Sequence, residues 1–231
     1  MRVLVFDVFG RYALFRRSYT TTSSTSYDFP PRTAVCGLMG AVLGLTNKTS
    51  DSSEHLRHFD SAHIALRLLK PVRKTCLGVN YVETKTGKEN RTQILLEVIK
   101  DPAYRIYVSE FELFEQLQKH LRNSTCVYTP YLGQAQMIAT LRFVGVHELK
   151  EVPAPQKVHS VIKQLEGLKV KPEENLVIVR ETMVLNMDNE RRPTEYATYW
   201  VEKNAKALEV LNYPGKIYRV EGLGECVCWM D

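Results

Sequence analysis

The chain has 231 residues, is 44% hydrophobic and 25% charged, and carries a formal net charge of +5. It can bury a core without disulfide or metal staples, and it is too apolar for a disordered or collagen-like chain. The charge is uneven: residues 1–48 hold six basic and two acidic side chains and residues 64–93 hold seven and two, so these segments carry all the positive excess. That distribution suits a surface that partly faces a polyanion, although a solvated basic face reads the same way.

Residues 2–9 are rich in Val and Phe, stop at Gly10, and read as a buried first strand and not as a signal peptide. Residues 11–17 (Arg-Tyr-Ala-Leu-Phe-Arg-Arg) alternate basic and aromatic or apolar side chains, and a Ser/Thr loop follows. Pro30 and Pro31 open a helix over Arg32 to Leu45, since a proline in the first turn forfeits no internal hydrogen bond. Ala34, Gly37, Gly40, Ala41 and Gly44 give that helix a small face fit for close approach by another backbone. Its apolar run is far shorter than the roughly 20 residues that span a bilayer.

A strand-like run over 62–83, a basic turn and a returning strand over 92–99 predict a long hairpin with an exposed tip. Another strand covers 104–109. Residues 110–122 form the clearest helix: Phe111, Phe114, Leu117 and Leu121 recur at helical spacing, acids come early and bases late. A loop around Tyr128–Gly133 leads to a strand over 136–149. Residues 150–174 read as a linker, followed by short strands near 176–185, 195–202 and 216–220. The predicted class is α+β: a ferredoxin-like, RRM-like βαββαβ domain over 1–149 with a hairpin thumb at about 75–100, then a small β-rich C-terminal region over 150–231.

Arg11, Arg16 and Arg17 suit bidentate contacts with phosphate, Tyr12 and Phe15 suit base stacking, and the helix start at Arg32 offers amide donors. The residues alone equally allow Tyr12 and Phe15 as core and the arginines as solvated. Five cysteines, an odd number, fit reduced thiols in the cytoplasm, where the sequons at Asn47, Asn90 and Asn123 carry no meaning. His55, His58 and His63 lack a fourth ligand for a tetrahedral metal. Cys226 and Cys228 alternate on a strand and point to opposite faces, and Gly222 and Gly224 mark a turn. No cofactor motif is present.

The stretch Val5 to Leu45 resembles the N-terminal signature of CRISPR-associated protein family five. A strand is followed by G-x-Y-A-x-F-R-R, a polar segment, and Y-x-F-P-P-R-T-A-x-x-G-L-x-G-A. Here these are Gly10, Tyr12, Ala13, Phe15, Arg16, Arg17, then Tyr27, Phe29, Pro30, Pro31, Arg32, Thr33, Ala34, Gly37, Leu38, Gly40 and Ala41. Thr129-Pro-Tyr-Leu-Gly133 adds a second match, and the sequence looks closest to the type I-B branch. The resemblance implies a non-catalytic subunit of a type I Cascade complex that caps the 5′ handle of the crRNA. Its implied partners are the crRNA, the large subunit and the backbone subunit, with target DNA met through the complex and no membrane. The thumb would then contribute Lys74, Asn80, Lys85, Lys88 and Arg91, with Tyr81 stacking and Tyr131 contacting RNA from the second match. One branch of the family processes its own guide, and Lys119 with His120 is the pair here that would serve such an endoribonuclease, although helical neighbours do not share a face.

Overall fold

The computed structural model describes residues 1–17, 24–46, 54–82, 91–188 and 190–231. The architecture is mixed α+β. Strand β1 (Arg2–Gly10) lies between β6 (Ala103–Ser109) and β7 (Ala139–Val152), and β3 (Ile64–Leu68) pairs with the far edge of β6. All three pairings are antiparallel. Helices α1 (Arg32–Leu43) and α3 (Phe114–Arg122) pack on one face of these strands, and the one-turn α2 (Glu54–Arg57) follows α1 in the chain.

Alternation along β1 explains that packing. Leu4, Phe6 and Val8 face the helices and meet Val35, Met39, Phe114 and Leu117 in the main core. Val3 and Val5 point to the other face, where they meet Tyr107, Val227 and Trp229. Helix α1 begins immediately after Pro31 and ends at Gly44, whose φ of 79° suits a residue without a Cβ. Helix α3 starts four residues later than the sequence pattern suggests, and Phe111 packs into the core from the preceding turn.

Two expectations change. The run over 62–83 is two strands in two sheets: β3 belongs to the main sheet, whereas β4 (Arg73–Val82) pairs with β5 (Arg91–Lys100) and, through it, with the short β2 (Tyr12–Ala13). Pro71 stands in the break between them. Residues 150–174 are not a plain connection. They contain the end of β7 together with β8 (Gln156–Val158), β9 (Ile162–Lys163) and β10 (Lys169–Val170), elements too short to leave a period in the sequence. Beyond them run β11 (Ile178–Met187), β12 (Pro193–Glu202), β13 (Leu208–Asn212), β14 (Ile217–Val220) and β15 (Glu225–Val227).

Strands β14, β15, β8, β13 and β10 extend the sheet beyond β7 to nine strands. The sheet curls far enough for Arg67 on β3 to bond Glu225 on β15, although four strands stand between them in the order. The β11–β12 pair forms a separate sheet with β9. Its inner residues Met183, Leu185, Ala197, Tyr199 and Val201 close the main core.

Candidate nucleic-acid interface

The short β2 decides where the first basic motif sits. Tyr12 stands opposite Lys100 on β5, and Lys100 stands opposite Arg73 on β4. Opposed residues share a sheet face, so one aromatic ring and two cations form a row across three strands. Arg11, Arg73 and Lys100 are exposed and Tyr12 is half-buried. The Arg11 guanidinium lies over the Tyr12 ring, 5.7 Å from its centre, within reach of a cation–π attraction. Sequence reading missed Arg73 and Lys100. They flank the hairpin at positions that become neighbours only once the register is known.

The other members of the motif divide. Arg16 is exposed, and its backbone bridges Ser26. Arg17 turns inward: its guanidinium bonds the Glu181 carboxylate at 2.6 Å and lies over the Tyr27 ring. Glu181 is only 2% exposed. Burial pushes its carboxyl above the usual range, and the neighbouring Arg17 opposes that rise. Lys74 is likewise committed, to Asp28 at 2.8 Å, to Glu97 at 3.2 Å and to the Ser26 carbonyl at 2.6 Å. Arg17 and Lys74 therefore lock the 24–28 segment between the hairpin root and β11.

Two candidates move into the core. Phe15 is 5% exposed and packs edge-on against Tyr104, so it offers no face to a base. Arg32 is also 5% exposed, and its guanidinium donates to the Phe59 and Ala62 carbonyls, fastening α1 to the following turn. Sequence shows the aromatic character of Phe15 and the basic character of Arg32 but not their depth.

Farther out on the hairpin, Asn80 stands opposite Gln93 and Tyr81 opposite Thr92. Tyr81 is 50% exposed, and Leu95 nearby is more exposed still. Arg91 occupies the register position opposite Val82. Lys85 and Lys88 lie outside the described residues.

The second matching element packs behind the first. Leu14 donates its N–H to the Leu132 carbonyl at 3.0 Å. Gly133 has φ of +90°, and a Cβ there would sit 1.9 Å from the Leu14 carbonyl oxygen, so only glycine permits this approach. Tyr131, half-exposed, lines a cavity of about 510 Å³ with Tyr128, His55 and the small face of α1. Among the described residues that face receives a backbone at one end only, where Val127 and Tyr128 donate to the Val42 and Ala41 carbonyls. At Gly37 an added Cβ would meet nothing nearer than a His55 ring nitrogen at 4.0 Å.

Lys119 and His120 sit in the last turn of α3. The His120 ring nitrogen lies 3.1 Å from the Thr125 hydroxyl, and Lys119 is exposed beside it. His58 lies near Glu112, and His63 bonds Asp231. Among the described residues no group of three His, Cys, Asp or Glu side chains could hold a metal ion. Burial pushes the Cys36 thiol up to about 12, which leaves it protonated and unreactive. No helix among the described residues is long and apolar enough to cross a membrane.

The profile of CRISPR-associated protein (Cas_Cas5) matches residues 3–207. The chain belongs to this family. No curated protein matches it by sequence. Among solved structures it resembles a CRISPR protein from Archaeoglobus fulgidus, with a TM-score of 0.60 at 12% identity, covering 98% of each chain. A chain of a CRISPR RNA-guided surveillance complex matches with a TM-score of 0.52 at 14% identity, over 92% of this chain and 94% of that one. At such identities the likeness concerns the fold.

Proposed function

We propose that this Cas5-family chain is a non-catalytic subunit of a type I Cascade complex, nearest the type I-B branch, that grips and caps the 5′ handle of a crRNA. The observation that carries the reading is the row at the hairpin root: Arg11 over Tyr12, then Lys100, then Arg73, with Arg16 exposed four residues after Tyr12 in the sequence. Cations at this density supply affinity through phosphate contacts, and half-exposed rings such as Tyr81 and Tyr131 supply platforms for unstacked bases. In this reading the β7-β1-β6-β3 order with two helices on one face is a ferredoxin-like unit, and the β4–β5 hairpin is its thumb. Lys85, Lys88 and Arg91 are assigned further phosphate contacts in this reading. Asn80 adds an amide able to bond a ribose hydroxyl or base edge. The large and backbone subunits hold the remaining surface, and target DNA is met through the assembled complex.

The test is incubation of the purified chain with a repeat-derived RNA in EDTA. Binding without cleavage is expected, together with weaker binding and a shallower salt dependence in Arg11→Ala with Arg16→Ala. Each lost phosphate contact on a single strand lowers the slope by about 0.7. Cleavage that disappears in His120→Ala would instead establish an endoribonuclease built on Lys119 and His120. Unchanged affinity and slope in the double variant would reduce the chain to a protein scaffold.

A further inference from the structure

The sheet face opposite α1 and α3 carries a row of charges that the N-terminal motif does not include. Arg142 on β7, Asp7 on β1, Arg105 on β6 and Arg67 on β3 stand in register across four adjacent strands. Asp7 is fully buried. It accepts Nε and Nη2 of Arg105 at 2.7 and 3.2 Å, and Nη2 of Arg142 at 2.6 Å. Glu225 accepts Arg67, Arg105 and the Tyr107 hydroxyl. Burial alone would raise the Asp7 carboxyl, but its bonds to Arg105 and Arg142 outweigh burial and hold it below the usual value.

Three guanidiniums thus share two carboxylates, leaving one positive charge over. The side chains of Arg105 and Arg67 are 16% and 24% exposed, whereas Arg142 is 65% exposed. The surplus therefore surfaces at Arg142. Its guanidinium also lies 5.2 Å from the centre of the Phe9 ring, so a buried carboxylate and an aromatic face fix its orientation together. Asp7 takes one of its five N–H donors and is its one protein acceptor among the described residues. Phe9 lies two residues before Arg11 in the sequence, at the end of β1 from which the chain passes to β2 and the hairpin root.

We infer that Arg142 is a pre-oriented binding site for a phosphodiester of the RNA, positioned by Asp7 and Phe9. The inference rests on the RNA-binding reading above. An arginine already held in place loses little side-chain freedom on binding, and its planar fork matches two phosphate oxygens.

The experiment follows binding of a fluorescein-labelled single-stranded RNA to the full chain by anisotropy over a salt series, with single-stranded DNA of the same sequence as a second arm. Arg142→Ala should weaken RNA binding about tenfold and lower the salt slope by about 0.7. Arg142→Gln keeps a donor for Asp7 while removing the charge, and it should show the same slope loss in a folded chain. Arg142→Lys should restore the slope but only part of the affinity, because the charge returns without the fork. A merely structural role would lower the melting temperature and leave the slope alone. Unchanged affinity and slope in Arg142→Ala and Arg142→Gln, while Arg11→Ala with Arg16→Ala loses binding, would overturn the inference and leave the wider reading standing. A loss confined to the DNA arm would overturn the assignment to RNA. Absence of RNA binding by the unaltered chain would overturn both.

Discussion

At the hairpin root, two cations meet three carboxylates: Arg17 and Lys74 face Glu181, Asp28 and Glu97. On the face of β1 turned away from α1 and α3 the balance is reversed, with Arg67, Arg105 and Arg142 facing Asp7 and Glu225. Arg17 and Lys74 commit their donors within the chain and hold segments together, unlike the exposed Arg11, Arg73 and Lys100 of the same root. The β1 face keeps one donor-rich side chain in reserve at the surface. Basic character in a sequence therefore divides into cations that build the fold and cations left to meet a ligand, and the division depends on which carboxylates fold up against them.

Removing Asp7 should give the largest effect, because it strips two guanidiniums of a buried counter-charge. Asp7→Asn should cost about 3–5 kcal/mol in urea denaturation at neutral pH. The sign with pH follows from the lowered carboxyl. Its contribution is present above the ordinary value of 3.8 and fades as pH falls through and below it. The gap between Asp7→Asn and the unaltered chain should therefore narrow in acid. A gap that stays constant down to about pH 3 would mean that Asp7 acts through shape and not through charge.

Arg17→Ala should come next, with a cost of about 2–3 kcal/mol near pH 8. Here the pH dependence arises within the variant. Glu181 is already pushed above its ordinary value of 4.5 by burial, and losing Arg17 removes the main opposition to that rise. A carboxyl with a raised value is tolerated when protonated and penalised as pH climbs through that value. The cost should therefore be smaller near pH 5 than near pH 8, read from urea midpoints. Equal costs at both values would show that Glu181 finds another cation once Arg17 is gone.

The opening strand, the α1 start at Pro31 and the apolar stripe of α3 were legible because each is local: a turn residue or a short period announces it. The site was legible only in part. Arg11 is exposed and Tyr12 half-buried, where the sequence left core and surface equally open, and Phe15, three positions beyond Tyr12, faces inward. Three positions is an odd step, so alternation from Tyr12 turns Phe15 to the side of buried Ala13. Asp7 carried an unread signal. A lone acid inside an apolar strand must be paired if buried, but nothing local says that its partners lie 98 and 135 residues away. Arg73 and Lys100 were hidden for the same reason, since their meeting depends on a long-range register.

The smallest effect should come from the hairpin's outer reach, where a side chain can serve binding without serving the fold. Tyr81 is half-exposed and stands opposite Thr92, well beyond the ion pairs that lock the root. Truncating it removes little buried area, so Tyr81→Ala should shift stability by no more than about 0.5 kcal/mol. If a base stacks on the ring, RNA affinity should fall by about 1 kcal/mol, the low end for one aromatic platform. The salt slope should not move, because stacking releases no counterions. That combination separates Tyr81 from Arg11, whose loss should change affinity and slope together. A fall in melting temperature without a fall in affinity would instead assign Tyr81 to the hairpin's own packing, beside Leu77, Val79 and Ile94.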